Sequence, residues 1–378
     1  MKYKIVFIIT VVAPYLKQRF EEMAKDEDIE LHIVVQNDTV SGRTGWGFSE
    51  IKGCHTYMLS SYEKGFVNDH SSSGYKIDNG RYLTRGMKKL VNSISPDIVI
   101  VCNSTQIALL YGPRKYRLGV VVEDTLRAAE GRKKINKYIK RILLKTADVY
   151  FPFSDDAVAF LRENGITSPL IPSSWSIDLS FFNTVTDIRA ARNELGLTAE
   201  RNIYTIVAAL IPRKGIAQFL DGWMAMGPEF TASNQLNIIG DGELDAELKA
   251  KAADNPEVRF LGNLPYEMVS TYLQCSDVFV LPTLEDLCSL SVFEALAAGI
   301  PVLTTIYNGA RFMVEEGKTG YVFDVSDRDS IINALNRIDG ADISEMKKNA
   351  REKMRCYSNE YVMKDFSEKI KTYLNDRC

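Results

Sequence analysis

The sequence predicts an α/β protein made of two doubly wound, parallel-sheet halves. Three observations carry this prediction. Short apolar runs recur and stop at Pro, Gly or acidic residues, as strands covered on both faces do: Lys4–Thr10, Asp97–Val101, Gly119–Val122, Val149–Phe153, Ile203–Val207, Leu236–Ile239 and Val278–Leu281. Helical periods separate them, as crossovers between parallel strands require. The alternation breaks around Pro169–Ser180 and restarts at Ile203. The 378-residue chain therefore reads as two domains of ordinary size, residues 1–172 and 173–356, with a cleft expected between them.

In the first half, Pro14–Lys25 reads as a helix with Pro in its first turn, and Leu31–Val35 as a second strand. Residues 36–80 are rich in Gly, Ser, Asn and Asp without a clear period, which predicts a long loop region with short strands near the cleft. Leu83–Ile94 reads as a helix, and Ser154-Asp155 as the cap of the helix after Val149–Phe153. The opening MKYKIVFIITVVAP sets Lys2 and Lys4 before an apolar run, as a signal peptide would. No small-residue cleavage site follows, so the expectation is a first buried strand and a Pro-started helix.

In the second half, a helix is expected from Gly215, and Leu236–Ile239 leads through Gly240-Asp241-Gly242 into another. Val258–Leu261 is a short strand and Tyr266–Gln274 a helix. Val278–Leu281 is stopped by Pro282, and Glu285 and Asp286 lie in the loop that follows. A short helix starts near Leu290 with Ser289 or Ser291 as its N-cap, ends at Ala298-Gly299, and gives way to a strand opened by Pro301-Val302-Leu303. After Asp329 the chain reads as helical. Its last helix, about Asn359–Leu374 within 357–378, is expected to return to the first half.

Composition narrows the class. A chain 46% hydrophobic and 25% charged, with no apolar run long enough to span a bilayer, fits a soluble globular protein. The cysteines at 54, 102, 275, 288, 356 and 378 are scattered, as in a reducing cytoplasm. The three histidines are widely spaced and no Cys/His cluster appears, so no metal site is expected. Nor is a nucleic-acid partner. Net charge is −3, but residues 1–172 carry 25 Lys and Arg against 19 Asp and Glu, and the remainder 21 against 30. A basic first half suits an anionic partner.

The stretch GRKKINKYIKRILLK, residues 131–145, has seven basic residues and no acid. Ile135, Tyr138, Ile139, Ile142 and Leu143 fall on one helical face. The expectation is a core helix with a basic solvated face. The alternative is a helix lying on an anionic membrane, which would place the protein at the inner membrane face.

Two loops carry candidate chemistry. Ala208–Gly215 is a strand end, a tight turn and a helix start beside Lys214, a combination suited to a diphosphate. Asp286 and Glu294 are separated by seven residues, one before a helix and one inside it. Val292, Phe293, Ala295, Leu296 and Ala297 around Glu294 are apolar, so a carboxylate there needs a partner. Paired carboxylates at the carboxyl edge of a parallel sheet can accept hydrogen bonds from sugar hydroxyls and ribose diols.

The run PTLEDLCSLSVFEALAAGIPVLTT resembles the signature of retaining GT-B glycosyltransferases of family 4, an E-x7-E motif followed by EA-A-G-PV. The likeness extends through VAALIPRKG, LNIIGDGEL, VRFLGNLPYEMVSTYLQCSDVFVLPT and YNGARFMVEEGKTGYVFD, covering roughly residues 200–325, and more loosely TADVYFPFSDDAVAFLRENGI. It implies two Rossmann-like domains, the second for a nucleotide sugar and the first for an acceptor, with no metal or other cofactor. Lys214 would grip the donor diphosphate, Glu294 the ribose hydroxyls, and Asp286 the transferred sugar. Backbone amides at Leu287, Cys288, Ser289 and Leu290 would meet sugar and phosphate, and Gly240 and Asn263 join the donor-binding set.

The sequence departs from the pattern at several points. The first acid is Asp286 rather than Glu, with Glu285 adjacent, and Leu287 and Ser289 stand where glycines are usual. The usual Arg is Ala209, leaving Arg213 as the candidate charge. Glu123 and Asp124 stand where a His is often found, and TVVAPY replaces a Gly-rich loop. The implied activity is retaining transfer of a hexose from a nucleoside-diphosphate sugar, UDP-sugar favoured, to a hydroxyl of a growing, lipid-linked glycan of a surface polysaccharide. The alternative is a degenerate member that binds nucleotide or glycan as a partner subunit.

Overall fold

The computed structural model describes residues 2–38, 49–70, 75–198 and 200–376, which divide into two α/β units. Among the described residues, one unit holds those up to 70, 76–176 and 357 onward, and the other holds 177–356.

The first unit runs β1 (Tyr3–Ile9), α1 (Pro14–Met23), β2 (Ile29–Val35), β3 (His55–Met58), β4 (Ser61–His70), β5 (Tyr75–Thr84), α2 (Met87–Ile94), β6 (Ile98–Val101), α3 (Ser104–Leu109), β7 (Arg117–Val122), α4 (Leu126–Glu130), α5 (Lys134–Leu144), β8 (Val149–Pro152) and α6 (Asp155–Glu163). Its parallel sheet has the order β3-β2-β1-β6-β7-β8. Strand alternation divides the core in two. Val6, Ile8, Val99, Val101, Val120 and Tyr150 pack on one face, and Ile5, Phe7, Ile98, Ile100, Val149 and Phe151 on the other. Ser154 caps α6 through the Ala157 amide, as its position predicts.

The loop region with short strands expected over 36–80 holds β3 and the ten-residue β4 and β5, which pair in a separate two-stranded sheet. Gly, Asn and Asp dilute the aromatic and β-branched residues of SYEKGFVNDH and YKIDNGRYLT, which hides the strand period. Residues 39–48 and 71–74 of that stretch lie outside the described residues. The helix expected from Leu83 begins only at Met87, because Leu83-Thr84 ends β5 and Gly86, at φ +77°, turns the chain.

A further correction concerns 131–145. The apolar face of α5 does not cover the sheet: Ile135, Tyr138, Ile139 and Ile142 are 60, 63, 47 and 44% exposed, while Leu144 is buried. Leu143 and Leu144 pack on the core, and an ionic anchor adds to them. Asp124, just after β7, receives Lys140 Nζ at 2.6 Å and pairs with Arg132. Burial alone would raise the Asp124 carboxyl, but the charges of Lys140 and Arg132 outweigh it and hold the group well below the usual carboxylate range.

The second unit runs α7 (Ile188–Glu194), β9 (Asn202–Val207), α8 (Ile216–Ala225), α9 (Pro228–Ser233), β10 (Asn234–Ile239), α10 (Asp245–Lys251), β11 (Val258–Gly262), α11 (Tyr266–Gln274), β12 (Val278–Leu281), α12 (Leu290–Ala297), β13 (Val302–Thr305), β14 (Gly320–Phe323), α13 (Arg328–Asp339) and α14 (Ile343–Met354). The parallel order β11-β10-β9-β12-β13-β14 repeats the doubly wound pattern. The final helix, α15 (Asn359–Asn375), belongs to the first unit. Val362, Met363, Phe366, Ile370 and Tyr373 form its buried face, and the Phe366 ring lies 5.0 Å from that of Phe151. Lys371 fixes it to Asp26 at 2.9 Å. Among the described residues no helix is long and apolar enough to cross a membrane.

Candidate active site

At the carboxyl edge of the second sheet, the loops after β9, β10, β12 and β13 are laced together by backbone. Pro212 opens a 3-10 turn that ends at Gly215, whose φ of +63° a side chain would strain. A Cβ at Gly215 would lie 2.0 Å from the Pro282 carbonyl oxygen, so the two loops meet closely. The Leu284 amide and the Thr283 hydroxyl donate to the Arg213 carbonyl at 2.8 and 3.1 Å, and the Arg213 guanidinium donates to the Glu285 carbonyl at 2.6 Å. On the other side, the Gly309 amide donates to the Asp286 carbonyl at 2.9 Å, and a Cβ there would sit 1.6 Å from the Leu287 oxygen. Gly240, at φ +140°, presses on the Ala208 carbonyl in the same way.

This lacing brings Lys214 and Asp286 together. Lys214 Nζ donates to Asp286 Oδ2 at 2.5 Å, with an Arg213 nitrogen 3.7 Å from the same oxygen. Burial opposes ionisation of Asp286, but Lys214 and Arg213 outweigh it and hold the carboxyl below its ordinary value. Asp286 is therefore the acid that faces the cations. The neighbouring Glu285 is buried, 4% exposed, with its carbonyl engaged by Arg213 and Thr283. Leu287 and Leu290 are half-buried and Cys288 and Ser289 buried.

The helix α12 begins at Leu290 with Ser289 as its N-cap residue. The Ser289 hydroxyl bonds the Ser291 hydroxyl at 2.9 Å rather than a first-turn amide. A helix N-terminus whose N-cap serine leaves the first-turn amides alone, beside two cations, is suited to an anion.

Glu294 lies one turn further on and is 8% exposed. The Tyr266 hydroxyl donates to it at 2.6 Å. Burial raises the Glu294 carboxyl above its ordinary value, and the Tyr266 bond offsets this only in part. The Tyr266 ring stacks on Phe181, centroids 4.8 Å apart and planes 16° apart, so an aromatic wall stands beside the carboxylate. Neither Tyr266 nor Phe181 emerged as a site residue from the sequence. The available signal was a large aromatic at the solvent-prone first position of α11, where the amphipathic pattern does not call for one. Asn263 is exposed in the loop between β11 and α11.

In the first unit the structure separates the neighbouring acids. Asp124 is committed to anchoring α5. Glu123 lines a mostly apolar cavity of about 250 Å³ together with Arg19, Tyr15, Phe153 and Trp175. Arg19 is 7% exposed, lies 5.1 Å above the Trp175 ring and donates to the Ser174 carbonyl at 3.1 Å. Burial lowers its guanidinium to about 10, although Tyr15 and Glu123 pull it back up.

Two parallel, doubly wound α/β units make up the GT-B fold, and the second carries a cation–carboxylate pair, a helix start and a buried glutamate at one sheet edge. Residues 187–355 match the family model described as Glycosyl transferases group 1. The chain is 32% identical over 169 residues to an Escherichia coli UDP-Gal:alpha-D-GlcNAc-diphosphoundecaprenol alpha-1,3-galactosyltransferase, a match spanning 42% of each protein. It is 31% identical over 172 residues to a Corynebacterium glutamicum GDP-mannose-dependent monoacylated alpha-(1-6)-phosphatidylinositol monomannoside mannosyltransferase, across 42% of this chain and 44% of that one. These matches thus span less than half the length of the relatives. The fold is similar along nearly the whole chain to that of sucrose-phosphate synthase from Thermosynechococcus elongatus, with a TM-score of 0.77, 18% identity, and coverage of 99% of this chain and 100% of the other.

Proposed function

We propose that the protein is a retaining hexosyltransferase that moves a sugar from a nucleoside-diphosphate donor, UDP-sugar favoured, to a hydroxyl of a lipid-linked glycan during surface polysaccharide assembly. The second unit binds the donor and the first the acceptor. The observation that carries this reading is the Lys214–Asp286 pair, set beside the start of α12 with Glu294 buried behind it. Lys214, Arg213 and the first-turn amides hold the departing diphosphate, Glu294 accepts from the ribose diol, and Asp286 accepts from a hydroxyl of the transferred sugar. The bond from C1 to the diphosphate oxygen breaks while the acceptor oxygen bonds C1 on the same face. The acceptor's proton passes to the departing phosphate oxygen. Catalysis in this scheme is positioning and charge stabilisation, with no protein nucleophile and no metal step. The relatives' names support both ends of the reading: one acts on a diphosphoundecaprenol acceptor with a UDP-sugar, the other on a phosphatidylinositol mannoside with GDP-mannose.

The test is release of nucleoside diphosphate from UDP-, GDP- and ADP-hexoses in the presence of extracted glycolipids. Release with a transferred sugar of unchanged anomeric configuration is expected. Binding without release would favour the degenerate alternative.

The exposed apolar face of α5, flanked by Lys133, Lys137 and Arg141, supports peripheral contact with an anionic membrane. Lys140 is spent on Asp124, so the test replaces Lys133, Lys137 and Arg141 by Glu. With each charge worth about 1 kcal/mol near an anionic surface, affinity for phosphatidylglycerol vesicles should fall by about 100-fold or more. Unchanged sedimentation would remove the membrane from the scheme.

A further inference from the structure

We propose that Glu30, His32 and His55 form a binding site for a divalent transition-metal ion, zinc being the reference case, that fastens the edge strand of the first sheet. In sequence the histidines are far apart. The parallel register of β2 and β3 sets His32 directly opposite His55, and Glu30 lies two residues before His32, hence on the same face. One ligand atom from each of the three lies within 4.8 Å of the others. His32 Nε2 is 2.9 Å from Glu30 Oε1, and the His32 and His55 rings stack with centroids 4.7 Å apart.

A tetrahedral ion with nitrogen and oxygen ligands near 2.0–2.1 Å needs its ligand atoms roughly 3.4 Å apart. His32 Nε2 and Glu30 Oε1, at 2.9 Å, need to part by only about 0.5 Å to admit the ion. His55 is exposed and has room to turn its ring the remaining distance.

The support around the ligands fits as well. The other His32 nitrogen, Nδ1, is 3.1 Å from the Tyr57 hydroxyl, which fixes the ring with Nε2 aimed at the carboxylate. An outer partner of this kind is what metal-ligating imidazoles ordinarily have. His32 is 5% exposed, so one ligand is rigid, and His55 is exposed, so water can complete the shell. Two imidazoles and one carboxylate suit Zn²⁺, Co²⁺ or Ni²⁺ rather than Mg²⁺ or Ca²⁺, which take oxygen ligands. An adverse charge, Lys4, sits 3.5 Å from Glu30, but its side chain is 41% exposed and has solvent to swing into. β3 is only four residues long and forms the sheet edge, so a metal bridge would tie it to β2. The site shares no residue with the donor-side set.

The experiment is calorimetric titration of the metal-stripped, reduced full chain with ZnCl₂, CoCl₂ and MgCl₂. One Zn²⁺ per chain is expected, Co²⁺ should develop the visible d–d absorption of a four-coordinate ion, and Mg²⁺ should give no heat. Saturating Zn²⁺ should raise Tm by about 5 °C. His55→Ala, at an exposed position, should weaken Zn²⁺ at least tenfold without altering the fold, and Tyr57→Phe should weaken it about tenfold through ring orientation. Absence of stoichiometric binding, or Zn²⁺ affinity unchanged in His55→Ala, overturns the proposal.

Discussion

Replacing Glu294 by Gln separates a nucleotide-binding carboxylate from a structural one. The side chain is 8% exposed among apolar neighbours in α12 and accepts the Tyr266 hydroxyl at 2.6 Å. Gln keeps the shape and an oxygen for Tyr266, so only the charge and one acceptor are lost. If the carboxylate takes the ribose diol, losing its charge-assisted hydrogen bonding costs about 1.5–3 kcal/mol, which is about 10- to 150-fold in the Kd of the nucleotide. Stability should move the other way. Burial raises the folded-state value of Glu294, so the group favours folding at pH below its unfolded value, and that contribution is lost as pH rises through the raised value. At pH 7 the charge is a burden that Gln removes. Tm of the variant should equal or exceed wild type at pH 7, with the difference vanishing below about pH 4. Calorimetric titration with UDP, GDP and ADP, alongside thermal scans at the two pH values, reads both effects. Unchanged affinity for all three nucleotides together with a lower Tm at pH 7 would refute the ribose role and make Glu294 structural.

Other consequences follow from the same geometry. Lys214→Ala removes the cation nearest Asp286 and should lower kcat by about 10²–10³-fold while the chain stays folded, checked by steady-state kinetics beside circular dichroism. Tyr266→Phe strips Glu294 of its donor and should destabilise the second unit by about 1–3 kcal/mol, lowering Tm by about 2–4 °C for each kcal/mol. Asp124 and Asp286 both have folded-state values below the ordinary range. Their contribution is therefore complete above about pH 4 and lost as pH falls through the depressed values, so acid unfolding should be shifted to higher pH in Asp124→Asn.

Much of this was legible in the residues. Apolar runs such as Val278–Leu281 and Ile98–Val101 read as strands covered on both faces and are buried strands, and Gly299 at φ +76° ends α12 where the sequence places its stop. The seven-residue spacing to Glu294 pointed to Asp286 with Glu285 adjacent, and the structure sets Lys214 and Arg213 beside Asp286. Other features depend on contacts between distant segments. The Tyr266–Glu294 bond joins helices 28 residues apart, and the stack on Phe181 draws in the segment before α7. His32 meets His55 only through strand register. The face of α5 was misread because amphipathic spacing alone does not say whether a sheet or solvent lies opposite it. That helix sits where the Asp124 anchor puts it, with its isoleucines outward.

The central claim is that the loop between β12 and α12 holds a nucleoside diphosphate. A crystal structure of the chain with whichever of UDP, GDP or ADP binds most tightly tests it most directly. The ribose hydroxyls should lie within about 3 Å of the Glu294 carboxylate, with the diphosphate against Lys214 and the first-turn amides of α12. A nucleotide bound with its ribose turned away from Glu294, or seated at another sheet edge, would contradict it.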